Sequence, residues 1–256
     1  MTVRLFAMTC GWLTLPLKVV LDGEAGELRM PVPCYLIDLP KGQVLFDSGM
    51  RADLQAPAEY QADHTALLAR RFKTEFKVGE ELGARLEYCD VDVDKVRYLV
   101  NSHLHFDHVG GNHQVKNAQL VVQAREWRAG HDDDLIQANG YHQADYDHGH
   151  DLKLLDGEHD LFGDGTVLCV PTYGHTPGHQ SLKVRLGSGD VLLTADACYL
   201  CQTLENLHLP RVVRNAEEML ESLGRIRILK KAGARIFYGP DPEFWRTVPQ
   251  APAELV

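Results

Sequence analysis

Positive charge is scarce in this sequence: 26 Lys and Arg stand against 36 Asp and Glu, a formal charge of −10. Phosphate binding needs a basic face, so the composition excludes a nucleic-acid partner. The local basic patch Ala69-Arg70-Arg71-Phe72-Lys73 reads as the solvated side of a helix. Long apolar runs are also lacking. None reaches the roughly 18 residues that span a bilayer, which excludes a membrane-spanning helix. The stretch from Leu5 to Leu17 is uncharged and follows Arg4, in the manner of a secretion signal. Thr9, Gly11 and Thr14 interrupt it, and no small-x-small cleavage site precedes Lys18. Cysteine is sparse and scattered, at Cys10, Cys34, Cys89, Cys169, Cys198 and Cys201, mostly within apolar runs, as free buried thiols are. Cys198 and Cys201 have C-x-x-C spacing, but no thioredoxin-like context surrounds them, so the pair reads as structural. A cytoplasmic, reducing location is the expectation. No internal repeat or low-complexity linker divides the chain.

Against these absences one segment stands out. Asn101-Ser102-His103-Leu104-His105-Phe106-Asp107-His108-Val109-Gly110-Gly111 contains the spacing H-x-H-x-D-H directly after the apolar run Val96–Val100. Three imidazoles and a carboxylate within six residues are costly to bury, because each needs a partner. A divalent metal supplies that partner. Imidazole nitrogen with carboxylate oxygen suits zinc and, less selectively, iron, manganese or cobalt.

Further ligands follow downstream. Gly174-His175-Thr176-Pro177-Gly178-His179 comes after the apolar run Val167–Val170, and Asp196 ends the run Val191–Thr194. Three strand ends that each present ligands can converge on one edge of a sheet. His103, His105 and His175 would then form a three-histidine pocket for one ion. Asp107 and His108 would mark a second position, and Asp196 could bridge the two.

With these motifs in place, the chain resembles a metallo-β-lactamase superfamily hydrolase and, within that superfamily, the N-acyl-homoserine lactone lactonases. His103-x-His105-x-Asp107-His108, Gly174–His179 and Asp196-Ala197-Cys198-Tyr199 carry the resemblance. Pro33–Asp38 and Val44-Leu45-Phe46-Asp47-Ser48-Gly49 resemble the superfamily's early strands, and the matches run in order from about residue 30 to 240. The resemblance implies an α/β fold, an αββα sandwich of two mixed β-sheets with helices on the outer faces. It implies that Tyr199 stabilises the oxyanion and that the substrate is a small-molecule lactone. One departure stands against the pattern. Where dinuclear members end their last strand in a histidine ligand, this chain has Pro240, in Arg235-Ile236-Phe237-Tyr238-Gly239-Pro240-Asp241. Proline has no side-chain donor atom. One or two zinc ions are therefore expected, with the second position weakened, and Asp241 or water would have to fill the gap.

The apolar patterning supports the layered architecture. Strands are expected at Val3–Ala7, Leu13–Leu21, Val32–Asp38, Val44–Asp47, Leu120–Gln123, Leu152–Leu155, Val167–Val170, Ser181–Leu186, Val191–Thr194 and Arg235–Tyr238, and helices at Ala62–Phe76 and Asn215–Lys231. At 256 residues and 45% hydrophobic content, residues 1–256 fit a single domain. Residues 130–151 break the regularity with Gly, His, Asp and Tyr, as either a substrate loop or a solvated surface loop. Oligomeric state is not legible, and a homodimer stays open.

The chemistry expected of this ligand set is hydrolysis. A bound ion lowers the pKa of coordinated water from about 15.7 toward about 7 and polarises a carbonyl. Hydroxide held between the metals and Asp107 would attack the lactone carbonyl, and Asp107 would return a proton to the leaving alkoxide. His113 and His179 match no ligand position and read as structural; Phe106 is either a pocket wall or a core aromatic. Alternative readings are hydrolysis of another lactone, a thioester or a β-lactam, a binding protein weakened by Pro240, and an oxygen-reducing di-iron member.

Overall fold

Strand residues alternate between two faces, and most strands of this protein are apolar on both. The computed structural model, which describes residues 3–56 and 72–255, resolves that pattern into two packed sheets. The strands are β1 (Arg4–Pro16), β2 (Glu27–Asp38), β3 (Gln43–Phe46), β4 (Thr74–Glu75), β5 (Val96–Val100), β6 (Gln119–Gln123), β7 (Leu152–Leu155), β8 (His159–Asp160), β9 (Val167–Pro171), β10 (Gln180–Leu186), β11 (Gly189–Leu193) and β12 (Arg235–Phe237). Among the described residues one sheet runs β4-β1-β2-β3-β5-β6-β7 and the other β12-β11-β10-β9-β8. Both are mixed: β3, β5, β6 and β7 are mutually parallel and β11 is parallel to β12, while the other pairings are antiparallel.

Among the described residues the helices are α1 (Leu82–Tyr88), α2 (Phe106–Val109), α3 (Ala124–Ala129), α4 (Asp133–Asn139), α5 (Cys201–Asn206), α6 (Ala216–Lys231) and α7 (Pro242–Trp245). The period-2 rule separates the cores. Tyr98, Val100 and Val121 of the first sheet meet Cys169, Leu182, Val184, Val191 and Leu193 of the second in one cluster between the sheets. Their neighbours Leu99 and Leu120 turn outward to Leu82 and Leu86 of α1. On the far side Val170, Leu192 and Ile236 pack on Leu223 and Ile226 of α6. Each such fully buried aliphatic side chain contributes about 1.5–3 kcal/mol. The layers are helix, sheet, sheet, helix, as expected.

Details depart from the sequence reading. The two expected N-terminal strands are one strand, β1, with a register shift between Thr9 and Trp12. Gly11, at φ 105°, supplies the left-handed backbone there. β1 ends at Pro16, and Leu17–Val19 is a 3₁₀ turn rather than more strand. The expected helix Ala62–Phe76 lies mostly outside the described residues, as does part of the patch at 69–73. Within the described part Thr74 and Glu75 pair with Leu13 and Trp12 as β4. The Asn215 side chain caps α6 by accepting from Glu217 N and Glu218 N, and Met219, Leu223 and Ile226 face inward while Leu220 is exposed. No helix among the described residues is long and apolar enough to cross a membrane. All six cysteines are free.

Strands β3, β5, β9, β11 and β12 all end at one edge of the sandwich, and the chain after β3 packs closely on α2 there. Ser48 N donates to the His108 carbonyl at 2.8 Å, and Gly110 N donates to that of Gly49 at 2.8 Å. A Cβ at Gly110 would lie 2.3 Å from Arg51 N and 2.5 Å from the Met50 carbonyl carbon, both backbone atoms. Gly110→Ala is therefore expected to destabilise the protein by about 1–3 kcal/mol through overpacking. Urea denaturation measures this, and an unchanged midpoint would show that the contact yields freely.

Candidate metal centre

Each ligand-bearing loop leaves the end of a strand, and the loops after β5, β9 and β11 converge. His103 Nε2 lies 2.9 Å from His105 Nδ1, and His175 Nε2 lies 3.1 Å from the same atom. A tetrahedral ion with ligands at 2.0–2.1 Å separates them by about 3.3 Å, so the three nitrogens suit one ion. His105 Nε2 meets the Asn139 carbonyl at 2.9 Å and must donate to it, which leaves a single lone pair on Nδ1. Two other ring nitrogens address that lone pair, and only one N–H can be accommodated. A cation satisfies all three. Burial lowers the pKa of each ring, that of His103 well down and those of His105 and His175 to about 3. Neutral imidazole is the form that ligates metal.

The second group adjoins the first. His108 Nε2 lies 3.4 Å from Asp196 Oδ1 and 3.6 Å from Asp107 Oδ2. His103, His108 and Asp196 offer atoms within 4.8 Å of one another. Asp196 Oδ2 lies 3.6 Å from His175 Nε2, so its carboxylate spans both groups. Asp196 Oδ1 is buried with no hydrogen-bond partner, a cost that a cation would remove. Burial raises the pKa of Asp107. For His108 burial acts downward, but the carboxylates of Asp107, Asp196 and Asp47 reverse the sign and raise it.

Asp47 was not nominated by sequence. Its Oδ2 lies 2.8 Å from His108 Nδ1, and its carboxylate accepts from Ser102 N at 2.7 Å and from Ser102 Oγ at 2.8 Å. That contact turns His108 Nε2 toward the second group, as outer partners of metal-bound histidines do. Asp47 sits at φ 60°, a conformation that costs a non-glycine residue energy. The signal was present as a carboxylate at a strand end before Ser48-Gly49.

Pro240 faces the second group. With Asp47, His108, Asp196 and Gly239 it lines a cavity of about 10 Å³. The Asp241 carboxylate is engaged with other partners. Its Oδ1 accepts from Glu243 N and Phe244 N at 3.0 and 3.1 Å, capping α7, and its Oδ2 accepts from Cys201 N at 2.8 Å. The first group thus fits an ion; the second gathers His108 and a share of Asp196 beside His103, with Asp107 near and no donor from Pro240.

Around the centre, Tyr199 places its phenol oxygen 3.4 Å from His175 Nδ1, and burial, with Asp196 beside it, raises its pKa. Phe106 stacks on Phe72 with centroids 5.3 Å apart, and both line a cavity of about 310 Å³ that reaches His105, Asp107, His175, Asp196 and Tyr199. His113 bonds the Gly110 carbonyl away from the cluster. His179 packs behind His103, its Nδ1 2.9 Å from Thr172 Oγ1. Of the irregular stretch, Asn139 and Gly140 line the cavity, just before Tyr141.

Residues 29–235 match the metallo-beta-lactamase superfamily. The N-acyl homoserine lactonase AttM of Azorhizobium caulinodans is 31% identical over 98% of this chain and 97% of its own. The N-acyl homoserine lactonase AiiA of Bacillus thuringiensis subsp. kurstaki is 31% identical over 84% and 83%. The structure of an N-acyl homoserine lactone hydrolase with N-hexanoyl-L-homoserine bound at its catalytic metal centre superposes with a TM-score of 0.87 at 28% identity, covering 100% of both chains.

Because Asp241 is a cap, Asp241→Ala should cost about 1–2 kcal/mol of stability and leave the metal content of the purified protein unchanged. Thermal denaturation and elemental analysis read the two effects separately. An ion lost with the carboxylate would make Asp241 a ligand after all.

Proposed function

The chain belongs to the metallo-beta-lactamase superfamily, and from that premise we propose that it opens the ester ring of N-acyl-homoserine lactones. As a member it binds a divalent metal. The observation that carries the substrate reading is that one cavity has two kinds of wall. His105, Asp107, His175, Asp196 and Tyr199 line it together with Leu13, Leu15, Val20, Met30, Phe72 and Phe106. An acyl-homoserine lactone has the matching halves, a polar ring to be cleaved and an apolar tail. The volume of about 310 Å³ suits one small molecule.

His103, His105 and His175 would hold the first ion, and Asp107, His108 and Asp196 the second. The imidazole-rich set favours zinc, with iron, manganese and cobalt as the other candidates. Pro240 leaves the second position weaker, so the protein works with one ion firmly held. When bound, the metal acidifies water and polarises the ester carbonyl. The side chains do the rest. Asp107 takes the proton of the attacking water and returns it to the departing alkoxide as the ring carbon–oxygen bond breaks. Tyr199, a phenol protonated at neutral pH, donates to the oxyanion of the tetrahedral intermediate. The products are an acid and an alcohol on one chain. We read residues 1–256 as one domain, since Leu5 and Leu255 share the core cluster between the sheets.

Ring opening releases one acid per turnover, so pH-stat titration against acyl-homoserine lactones, with a thioester and a β-lactam as controls, tests the reading. Acid release from the lactones alone, abolished by chelation, is expected; preference for either control would overturn the substrate assignment. Tyr199→Phe should lower both kcat and kcat/KM by about ten- to a hundredfold, because the donor acts in the transition state and shares the oxyanion with metal. Unchanged kinetics would remove Tyr199 from the mechanism.

A further inference from the structure

Glu126 is fully buried in α3, yet its nearest partners carry no charge. Its Oε1 accepts from Leu104 N at 3.0 Å and from the Tyr141 hydroxyl at 2.6 Å. Its Oε2 accepts from Thr176 Oγ1 at 2.9 Å and from Gly178 N at 2.7 Å. Leu104 lies between the ligands His103 and His105. Thr176 and Gly178 follow the ligand His175. Tyr141 closes the segment whose Asn139 carbonyl orients His105.

We propose that Glu126 is a positioning residue that sets the spacing between the two histidine-bearing loops, and thereby the affinity of the three-histidine position. The inference rests on the ligand assignment above. A carboxylate has about four acceptor sites, and all four are used here. Burial raises its pKa, and the four hydrogen bonds act against that. The loop of His175 is also pressed onto α3 directly: a Cβ at Gly178 would lie 2.3 Å from Glu126 N. Helix α3 touches no lactone in this account; it acts through the loops.

The geometry makes an amide diagnostic. Each carboxylate oxygen holds one backbone N–H, from Leu104 on Oε1 and from Gly178 on Oε2. Hydroxyls can turn to accept, but a backbone N–H cannot. In Glu126→Gln the side-chain NH₂ must face one of those two donors whichever way it points. One loop is released while size and shape stay constant.

The test is zinc affinity of the full-length protein, measured by competition with a chromophoric chelator. Circular dichroism and thermal denaturation on the same samples establish that the variant is folded. Glu126→Gln should bind its first zinc about 10- to 100-fold more weakly, the usual loss when an outer partner of a metal ligand is removed. The visible bands of the cobalt-substituted protein should shift as the ligand geometry changes. Affinity within about twofold of the parent, with unshifted bands, would reduce Glu126 to a stability role whatever happens to the melting temperature. If the variant does not fold, Thr176→Val decides. It removes one hydroxyl donor, keeps the Gly178 bond, and should weaken zinc by about tenfold; unchanged affinity overturns the proposal. Failure of the parent protein to bind zinc would instead count against the ligand assignment, and neither readout depends on the substrate.

Discussion

The ring nitrogens of His103 and His175, each about 3 Å from His105 Nδ1 at the base of the cavity, impose the constraint on which the rest of this structure depends. Burial lowers the pKa of His103, His105 and His175, and a ring N–H can satisfy only one of the two contacts to His105 Nδ1. Left unpaired, buried polar atoms cost about 1–3 kcal/mol each. A sandwich that brings five strand ends to one edge has accepted that cost, and a divalent cation repays it.

The supporting shell follows from the same need. Each candidate ligand ring presents one particular nitrogen while its other meets a partner: His103 with Ser102 Oγ, His105 with the Asn139 carbonyl, His108 with Asp47 and His175 with the Tyr199 hydroxyl. Asp47 and Glu126 extend this one step outward, as buried carboxylates that collect donors from several loops. The two candidate metal positions then differ in kind. The first is bounded by three imidazoles, whereas Pro240 closes the second without offering a donor, and Asp241 beside it is committed to capping α7.

Much of this was legible in the sequence because periodicity and strand-end motifs are local signals. The apolar runs before His103, His175 and Asp196 put the candidate ligands at strand ends, where His103, His105, His108, His175 and Asp196 gather in two groups and Asp107 Oδ2 lies 3.6 Å from His108 Nε2. The runs of strands interrupted by helices fit the two-sheet layering. What escaped is set by distant contacts. Helix α3 has only six residues and buries a glutamate, so no amphipathic stripe announces it. The role of Asp47 depends on His108, 61 positions away. The β1 bulge at Gly11 looked like a break between strands because a positive-φ glycine punctuates turns and bulges alike. The irregular stretch around Asn139 and Tyr141 gave no period, yet the Asn139 carbonyl meets His105 Nε2 and the Tyr141 phenol donates to Glu126.

The central claim, that the two positions are unequal and the three-histidine one is the primary cation site, is most directly tested by anomalous diffraction at the zinc edge from crystals of the purified protein. The account predicts a strong peak among His103 Nε2, His105 Nδ1 and His175 Nε2, with weaker occupancy between His108, Asp107 and Asp196. An empty three-histidine position, or two peaks of equal strength, would contradict it.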